Sequence, residues 1–210
     1  MTQADYKQRF LQACVDYGAL RFGQFTLKSG RVSPYFFNAG AFNDGNAFAL
    51  LGECYAEAIA GVEFDGLFGP AYKGIPLATA LSVTLAQQGR NVPVTFNRKE
   101  VKDHGEGGVL MCAEPSGRIL LVDDVITAGT AVRQAMEQLK GVDVSALVVA
   151  LDRQERGQGS TSAIQELRAQ GLDVRTIVTL DDVLEFARAT QSAEHVAAMV
   201  QYRETYGVLA

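Results

Sequence analysis

Two adjacent carboxylates precede a turn of small residues in the stretch 119–131, Ile-Leu-Leu-Val-Asp-Asp-Val-Ile-Thr-Ala-Gly-Thr-Ala. The small side chains from Thr127 to Thr130 would leave backbone N–H groups accessible at the start of a helix, which suits a phosphate monoester. Asp123 and Asp124 would repel that phosphate unless the ligand also presents hydroxyl groups or a metal ion some distance away. A ribose 5-phosphate meets both conditions, since its hydroxyls can reach the carboxylates directly or through Mg2+ and its water.

The acidic pair also has a second interpretation. An Asp-Asp pair after a buried strand occurs at phosphoacceptor and Mg2+ sites of doubly wound folds as well. A further segment, Gly69-Pro-Ala-Tyr-Lys-Gly-Ile-Pro76, follows a short predicted strand and precedes a predicted helix, where the backbone must approach a neighbour closely. Taken alone, it is equally a turn with a solvated lysine.

A concentrated cationic segment interrupts this acidic chain: Asn97-Arg-Lys-Glu-Val-Lys-Asp-His-Gly-Glu-Gly-Gly108. It is long, polar and rich in glycine, so we expect a mobile lid rather than part of the core. Its four potential cations suit a leaving group with several negative charges; they are Arg98, Lys99, Lys102 and His104. By itself, such a run is equally a solvated surface.

Two other segments could recognise a planar, acidic molecule. Arg153 lies in Leu151-Asp-Arg-Gln-Glu-Arg-Gly157, and its guanidinium could bind a carboxylate through two hydrogen bonds. An internal ion pair with Glu155 is the alternative. In Ser33-Pro-Tyr-Phe-Phe-Asn38, a planar base could lie against Phe36 or Phe37, although strand alternation sends at least one of these rings into the core.

Together these segments resemble the orotate phosphoribosyltransferases, a branch of the type I phosphoribosyltransferase family. The run Val-Asp-Asp-Val-Ile-Thr-Ala-Gly-Thr-Ala is similar to the signature for phosphoribosyl pyrophosphate (PRPP), 69–76 to the pyrophosphate loop, and 97–108 to the catalytic loop. The resemblance implies a Mg2+-dependent glycosyltransferase (pentosyltransferase). Such an enzyme transfers the 5-phosphoribosyl group from PRPP to orotate, giving orotidine 5'-monophosphate and pyrophosphate in pyrimidine biosynthesis.

The resemblance also assigns roles to residues. It assigns PRPP binding to Lys28, Tyr72, Lys73, Arg98, Lys99, Lys102, His104, Asp123, Asp124, Val125, Ile126, Thr127, Ala128, Gly129, Thr130 and Ala131. It assigns orotate binding to Phe36, Phe37, Thr127 and Arg153, and catalysis to Lys102, Asp123 and Asp124. It implies Mg2+ held mainly by PRPP, with Asp123 or Asp124 reaching the ion through water, and a homodimer in which loop 98–109 completes the partner's active site.

Two other functions share parts of this pattern. A purine phosphoribosyltransferase would have the acidic pair but little use for Arg153 or for the segment 102–108. A regulatory protein that binds PRPP to control nucleic-acid binding would need a basic face and would have a degraded lid. The net charge of -5, the pI near 5.1 and the intact cationic loop count against that second function, and we expect no nucleic-acid partner.

Alternating strands and helices are predicted to position these segments. The pattern favours an α/β fold, with a mostly parallel sheet flanked by helices and ligands bound beyond the carboxyl ends of its strands. A helix over 2–17 and a hairpin within 24–38 predict a small hood near residues 1–40, to which the helices 180–190 and 192–206 could add. We expect one domain over 1–210, with no second catalytic domain.

Composition bounds the cellular setting. No stretch near 18 apolar residues and no basic-then-apolar leader is found in the sequence, so we expect a soluble, cytoplasmic protein with no membrane partner. Three cysteines lie far apart without Cys-x-x-Cys spacing, so we expect small buried residues rather than a disulfide or a zinc site; they are Cys14, Cys54 and Cys112.

Overall fold

The computed structural model describes residues 3–27, 29–102, 108–126, 129–157 and 159–208, and only the backbone of 3–5, 99–102 and 108. Its strands are β1 (Leu20–Thr26), β2 (Val32–Phe37), β3 (Gly66–Gly69), β4 (Val94–Lys102), β5 (Gly108–Cys112), β6 (Arg118–Val125), β7 (Asp143–Asp152) and β8 (Asp173–Thr179). Its α-helices are α1 (Gln3–Asp16), α2 (Gly45–Ala58), α3 (Gly74–Gln87), α4 (Thr130–Gln138), α5 (Ala163–Ala169), α6 (Leu180–Thr190) and α7 (Ala193–Tyr206).

The larger sheet has the strand order β5-β4-β3-β6-β7-β8. All neighbouring strands run parallel except β5, which pairs antiparallel with β4 at one edge. The chain leaves β3 for β4 on one side and later returns to place β6 on the other side. The boundary between β3 and β6 is therefore the topological switch point, where ligands bind in open sheets of this kind. The predicted fold class is confirmed.

Helices cover both faces of the sheet because the inner strands are apolar on both sides. In β6, Leu120 and Val122 join the hydrophobic core that contains α1, α2, α3 and α6, whereas Ile119 and Leu121 join the core that contains α4 and α5. The strand alternation thus divides one apolar run between two layers. Asp123 and Asp124 continue the same alternation at the end of β6, so their side chains leave the sheet on opposite faces.

The predicted hood contains a separate antiparallel hairpin formed by β1 and β2. Its inner face is buried, with Ser33 and Tyr35 fully inaccessible and Phe37 packed near Phe10 of α1 at 6.4 Å between ring centroids. Helix α7 packs against β2, and Tyr202 of α7 meets the ring of Tyr35 edge-on at 6.4 Å. The hairpin therefore lies between the first and the last helices.

One local prediction was wrong, and two elements were not predicted. The cationic segment contains strand residues that were not predicted, 98–102 at the end of β4 and 108–109 at the start of β5, which form an antiparallel ribbon at the sheet edge. Helix α5 has seven residues and was not predicted. Cys14 and Cys54 are buried as expected, but Cys112 is exposed at the end of β5. In the part of the chain that the structure describes, no helix is long and apolar enough to cross a membrane.

Candidate functional site

Four predicted segments meet at the carboxyl edge of the large sheet. The loop 69–74 follows β3, the cationic segment continues β4, the acidic pair ends β6, and Arg153 follows β7 directly. These four strands are consecutive in the order β4-β3-β6-β7. Segments far apart in sequence therefore line one edge on either side of the switch point.

The loop after β3 is folded tightly against β6. A Cβ atom on Gly69 would lie 2.4 Å from the carbonyl oxygen of Gly74, and one on Gly74 would lie 2.7 Å from the carbonyl oxygen of Val122. Such distances exclude any side chain at either position without movement of the backbone. The close approach inferred from the glycines is thus to the neighbouring strand, and it brings Tyr72 and Lys73 to the edge of β6.

Asn97 of β4 holds the same loop from the other side. Its Oδ1 accepts a hydrogen bond from the backbone N–H of Ala71 at 2.6 Å. Its Nδ2 donates to Oε1 of Gln138, at the end of α4, at 2.8 Å. One amide therefore links the pyrophosphate loop, the base of the cationic ribbon and the helix that follows the acidic pair. The sequence analysis did not single out Asn97.

Lys73 and Asp124 form an ion pair across the switch point. The Lys73 Nζ atom lies 2.6 Å from Oδ2 of Asp124, whose side chain is only 11% exposed, whereas that of Lys73 is 50% exposed. The other oxygen of Asp124 accepts the N–H of Val125 at 2.9 Å. The two residues predicted to contact different parts of PRPP neutralise each other in this structure.

Asp123 is in a different environment from its neighbour. Burial and the negative charge of Asp124 raise the pKa of the Asp123 carboxyl to about 7. Its Oδ1 accepts the N–H of Asp124 at 2.9 Å, and its carbonyl oxygen accepts a hydrogen bond from the hydroxyl of the buried Tyr55 at 2.8 Å. The sequence analysis did not predict this contact, in which Tyr55 of α2 anchors the backbone that carries the acidic pair.

Two of the four residues of the predicted anion cradle, Gly129 and Thr130, are described, and they lie at the start of α4. Gly129 is the N-cap with φ +69°, and as a glycine it has no side chain with which to cap the helix. The positive φ of Gly129 favours glycine, whereas the nearest atom to an added Cβ, Nη1 of Arg133 at 2.9 Å, is the end of a flexible side chain that could move aside. Thr130 and Ala131 are exposed, which leaves the first turn accessible, while Val125 and Ile126 lead into it.

Arg153 is in a buried ion pair. Its Nε and Nη2 atoms both lie near Oε1 of Glu155, at 2.8 and 2.7 Å, and Nη2 also donates to Oγ of Ser33 at 3.2 Å. Its guanidinium carbon lies 4.4 Å from the centre of the Tyr35 ring. The internal ion pair, considered above as an alternative, is therefore present, together with partners from the hairpin that the sequence did not indicate.

The two phenylalanines of β2 lie on opposite faces of the hairpin, as the alternation predicts. Phe37 is buried in the hydrophobic core, so its observed role is packing. Phe36 is half-buried, with its ring centre 5.5 Å from that of Phe25 and 5.3 Å from the guanidinium carbon of Arg21. Phe36 is thus the more accessible of the two rings to a planar ligand.

The structure does not describe every predicted site residue. Arg98 is half-buried near the end of β4, and Lys99 and Lys102 follow it with only their backbone described. Four predicted residues lie outside the described residues: Lys28, His104, Thr127 and Ala128. Within the described ranges, no group of three or more His, Cys, Asp or Glu side chains could hold a metal ion by itself.

Comparison with known proteins places this site in a family. A model of the phosphoribosyl transferase domain matches residues 42–158. Orotate phosphoribosyltransferase of Cronobacter sakazakii is 54% identical over 210 residues, covering 97% of this chain and 99% of the relative. The protein of that name from Thioalkalivibrio sulfidiphilus is 55% identical with the same coverage.

A solved structure agrees with the sequence matches. The crystal structure of orotate phosphoribosyltransferase from Francisella tularensis has a TM-score of 0.86 at 38% identity and covers 95% of this chain and 99% of that chain. The domain model spans more than half of the chain, and the relatives extend over nearly all of it. The chain therefore belongs to the orotate phosphoribosyltransferases, within the phosphoribosyl transferase domain family.

Proposed function

We propose that the carboxyl edge of the sheet transfers the 5-phosphoribosyl group from PRPP to orotate, releasing pyrophosphate and orotidine 5'-monophosphate. The observation that carries this proposal is the convergence there of the Lys73–Asp124 pair, the start of α4 behind Gly129 and the cation Arg153. A donor with a phosphate, hydroxyls and a pyrophosphate matches the first two features. An acceptor with a carboxylate matches the third.

The donor is bound at the switch point. The N–H groups at the start of α4 hold the 5-phosphate, because Thr130 and Ala131 are exposed and the first turn carries the positive end of the helix dipole. Asp123 and Asp124 end the preceding strand and reach the ribose hydroxyls. Their negative charge also favours the cationic sugar centre that forms as pyrophosphate departs.

The leaving group is neutralised from two sides. Lys73 supplies one cation after it leaves Asp124, and its half-exposed side chain has the freedom to do so. The ribbon of β4 and β5 supplies the others, with Lys102 in the role of stabilising or protonating pyrophosphate. We propose that the ribbon closes over the donor to exclude water, since a wet site would hydrolyse PRPP.

Orotate is recognised by Arg153 and by the hairpin. The guanidinium contacts the carboxylate that distinguishes orotate from uracil, and Phe36 offers the accessible aromatic face for the pyrimidine ring. Burial alone would lower the pKa of Arg153, but Tyr35 and Glu155 raise it above its ordinary value, so the side chain remains a cation. Purine bases lack a carboxylate and would not make this contact with the guanidinium.

Mg2+ would be held mainly by PRPP, with Asp123 or Asp124 reaching it through water. The residues fit this role, because the described residues offer two carboxylates at the end of β6 but no group of three or more His, Cys, Asp or Glu side chains that could hold the ion without a ligand. Asp124 is the nearer residue to the pyrophosphate loop and would reach the ion through water. When bound, Mg2+ offsets the charge of the pyrophosphate.

We also propose a homodimer with shared active sites. Helix α3 contains no charged residue in its fourteen positions, and the exposed side chains of Val83 on this helix and of Tyr72 just before it are large and apolar. Such a surface beside the active site suits a second copy of the chain better than it suits water. The partner's ribbon would then complete the site.

We further propose that residues 1–210 act as one domain, because the hairpin and the sheet contribute to the same cluster around Arg153.

The proposed activity is tested by incubating the protein with PRPP, orotate and Mg2+ and following loss of orotate. We expect loss only when PRPP and Mg2+ are both present. Equal consumption of orotate after chelation of Mg2+ would show that the reaction does not need the metal. No consumption of orotate would show that orotate is not the acceptor.

A further inference from the structure

Glu155 fixes one side of the Arg153 guanidinium. A single oxygen, Oε1, accepts from both Nε and Nη2, and the second N–H of Nη2 is directed to Oγ of Ser33. Nη1 takes part in neither of these two contacts. A carboxylate that reached Nη1 could therefore bind its N–H groups without breaking either of them.

The side chain of Glu155 is also contacted by two parts of the hood. The hydroxyl of Tyr202, on α7, donates to Oε1 at 3.0 Å, and Nη1 of Arg31, in the hairpin turn, lies 3.5 Å from Oε2. The Glu155 side chain is only 14% exposed, and that of Arg153 only 8%. The pair is thus shielded from the solvent that makes surface ion pairs weak.

The backbone around Glu155 is also fixed. Glu155 forms an isolated β-bridge with Gly207, the N–H of Val208 donates to the carbonyl oxygen of Gln154 at 2.8 Å, and that of Arg156 donates to Tyr206 at 2.9 Å. The segment after α7 therefore pairs with the loop that carries Arg153. Through these contacts, the hood helps to fix the orientation of the Arg153 guanidinium at the edge of the sheet.

We propose that Glu155 is a positioning residue for the acceptor substrate, which holds Arg153 by Nε and Nη2 and leaves Nη1 for the carboxylate of orotate. This inference rests on the proposed function. Glu155 does not touch the substrate; it acts through Arg153. Without Glu155, the guanidinium would lose the contacts of Nε and Nη2 with Oε1 and could rotate more freely. Fixing its orientation would then cost part of the binding free energy of orotate.

The test is steady-state kinetics of Glu155→Ala, Glu155→Gln and Tyr202→Phe with orotate and PRPP varied separately. We expect Glu155→Ala to raise the KM for orotate about tenfold, with the KM for PRPP and kcat nearly unchanged. Glu155→Gln keeps an oxygen that can accept the same bonds, so its increase should be smaller, about threefold, and that of Tyr202→Phe about twofold. Glu63→Ala is the matched control, because Glu63 forms an exposed ion pair with Arg118 near the amino end of β3.

A double-mutant cycle separates positioning from a general structural role. In an Arg153→Ala background, Glu155→Ala should have no further effect on the KM for orotate, since the residue through which it acts is gone. Persistence of the effect in that background, or a lower KM for orotate in the single variants, would overturn the proposal. If Glu155→Ala does not fold, Glu155→Gln and Tyr202→Phe decide the question alone. Failure of the proposed function would appear separately, as wild-type protein that does not consume orotate.

Discussion

Nζ of Lys73 and Oδ2 of Asp124 lie 2.6 Å apart and join the loop after β3 to the end of β6. The pair spans the switch point, so each residue provides the other's counter-charge where a phosphorylated sugar would bind. In the proposed function, PRPP would replace the pair with two contacts of its own, its pyrophosphate on Lys73 and its ribose hydroxyls on Asp124. The ion pair would then compensate the largely buried carboxylate until the donor binds.

Lys73→Ala should weaken donor binding. The substitution removes one cation from the pyrophosphate and leaves Asp124 with an uncompensated charge that repels it, so the KM for PRPP should rise about tenfold or more. The KM for orotate should change little. Lys140→Ala, at an exposed position after α4, serves as the control for loss of one positive charge. Equal increases for both substrates would show that Lys73 acts on the fold of the site rather than on the donor.

Asn97 should be needed to hold the pyrophosphate loop in place. Asn97→Ala removes the hydrogen bonds to both Ala71 and Gln138, whereas Gln138→Ala removes only the second. We expect the KM for PRPP to rise about tenfold in the first variant and about twofold in the second. The difference between the variants measures the bond to Ala71. Indistinguishable kinetics for the two would argue that this bond does not position the loop.

Asp123 should make the ligand-free protein less stable as the pH rises. Its pKa is about 7 when folded, above its ordinary value of 3.8, so the folded state binds the extra proton between these values. The free energy of unfolding therefore falls from about pH 4 to pH 7 and is constant above that range, as far as this group is concerned. Asp123→Asn removes the dependence.

Urea unfolding at pH 5 and pH 8 measures this effect. The stability gained by Asp123→Asn over wild type should be larger at pH 8 than at pH 5, by roughly 2–3 kcal/mol. Asp143→Asn, at the exposed start of β7, provides the control for loss of one carboxylate. A gain that does not depend on pH would show that Asp123 titrates near its ordinary value.

Hybrid dimers should recover activity. A Lys102→Ala variant lacks a cation of the ribbon, and an Asp124→Asn variant lacks a carboxylate of the sheet edge. If the ribbon of one subunit serves its partner, a mixed dimer contains one site free of both substitutions, and that site should show close to the activity of one wild-type site. The mixture is assayed after exchange of subunits has been demonstrated by mass. Activity no higher than that of the separate variants would place each ribbon over its own site.

The sequence was informative wherever a local pattern decides the structure. The apolar run before Asp123 predicted a strand covered on both faces, and the pattern after Gly129 predicted a helix from Thr130; both are present. The edge ribbon was missed because the mostly charged residues 98–102 lie in a strand whose partner there is β5, with Lys102 opposite Gly108, and strands at a sheet edge tolerate charged side chains. A glycine-rich, charged segment is typical of loops and gives no local sign of that partner.

Contacts between residues far apart in the sequence could not be predicted from local patterns. Lys73 and Asp124 were each predicted in a separate role, but their contact joins positions 51 apart in sequence. The partners of Arg153 were predicted only in part: Glu155 is two residues away, whereas Ser33 is 120 residues away. Asn97 carries no local signal, since its importance comes from two hydrogen bonds to other segments. Joint conservation of the asparagine and the glutamine in an alignment of relatives would have indicated that the two residues are in contact.

The most direct test of the central claim is competition between acceptors. Wild-type protein is incubated with PRPP, Mg2+ and equal concentrations of orotate, uracil and adenine, and the nucleoside monophosphates are identified by mass spectrometry while pyrophosphate is quantified. We expect orotidine 5'-monophosphate as the product, with one pyrophosphate released for each orotate consumed, and loss of this preference over uracil in Arg153→Ala. Accumulation of adenosine or uridine monophosphate by the wild-type protein, or release of pyrophosphate without a nucleotide product, would contradict the account.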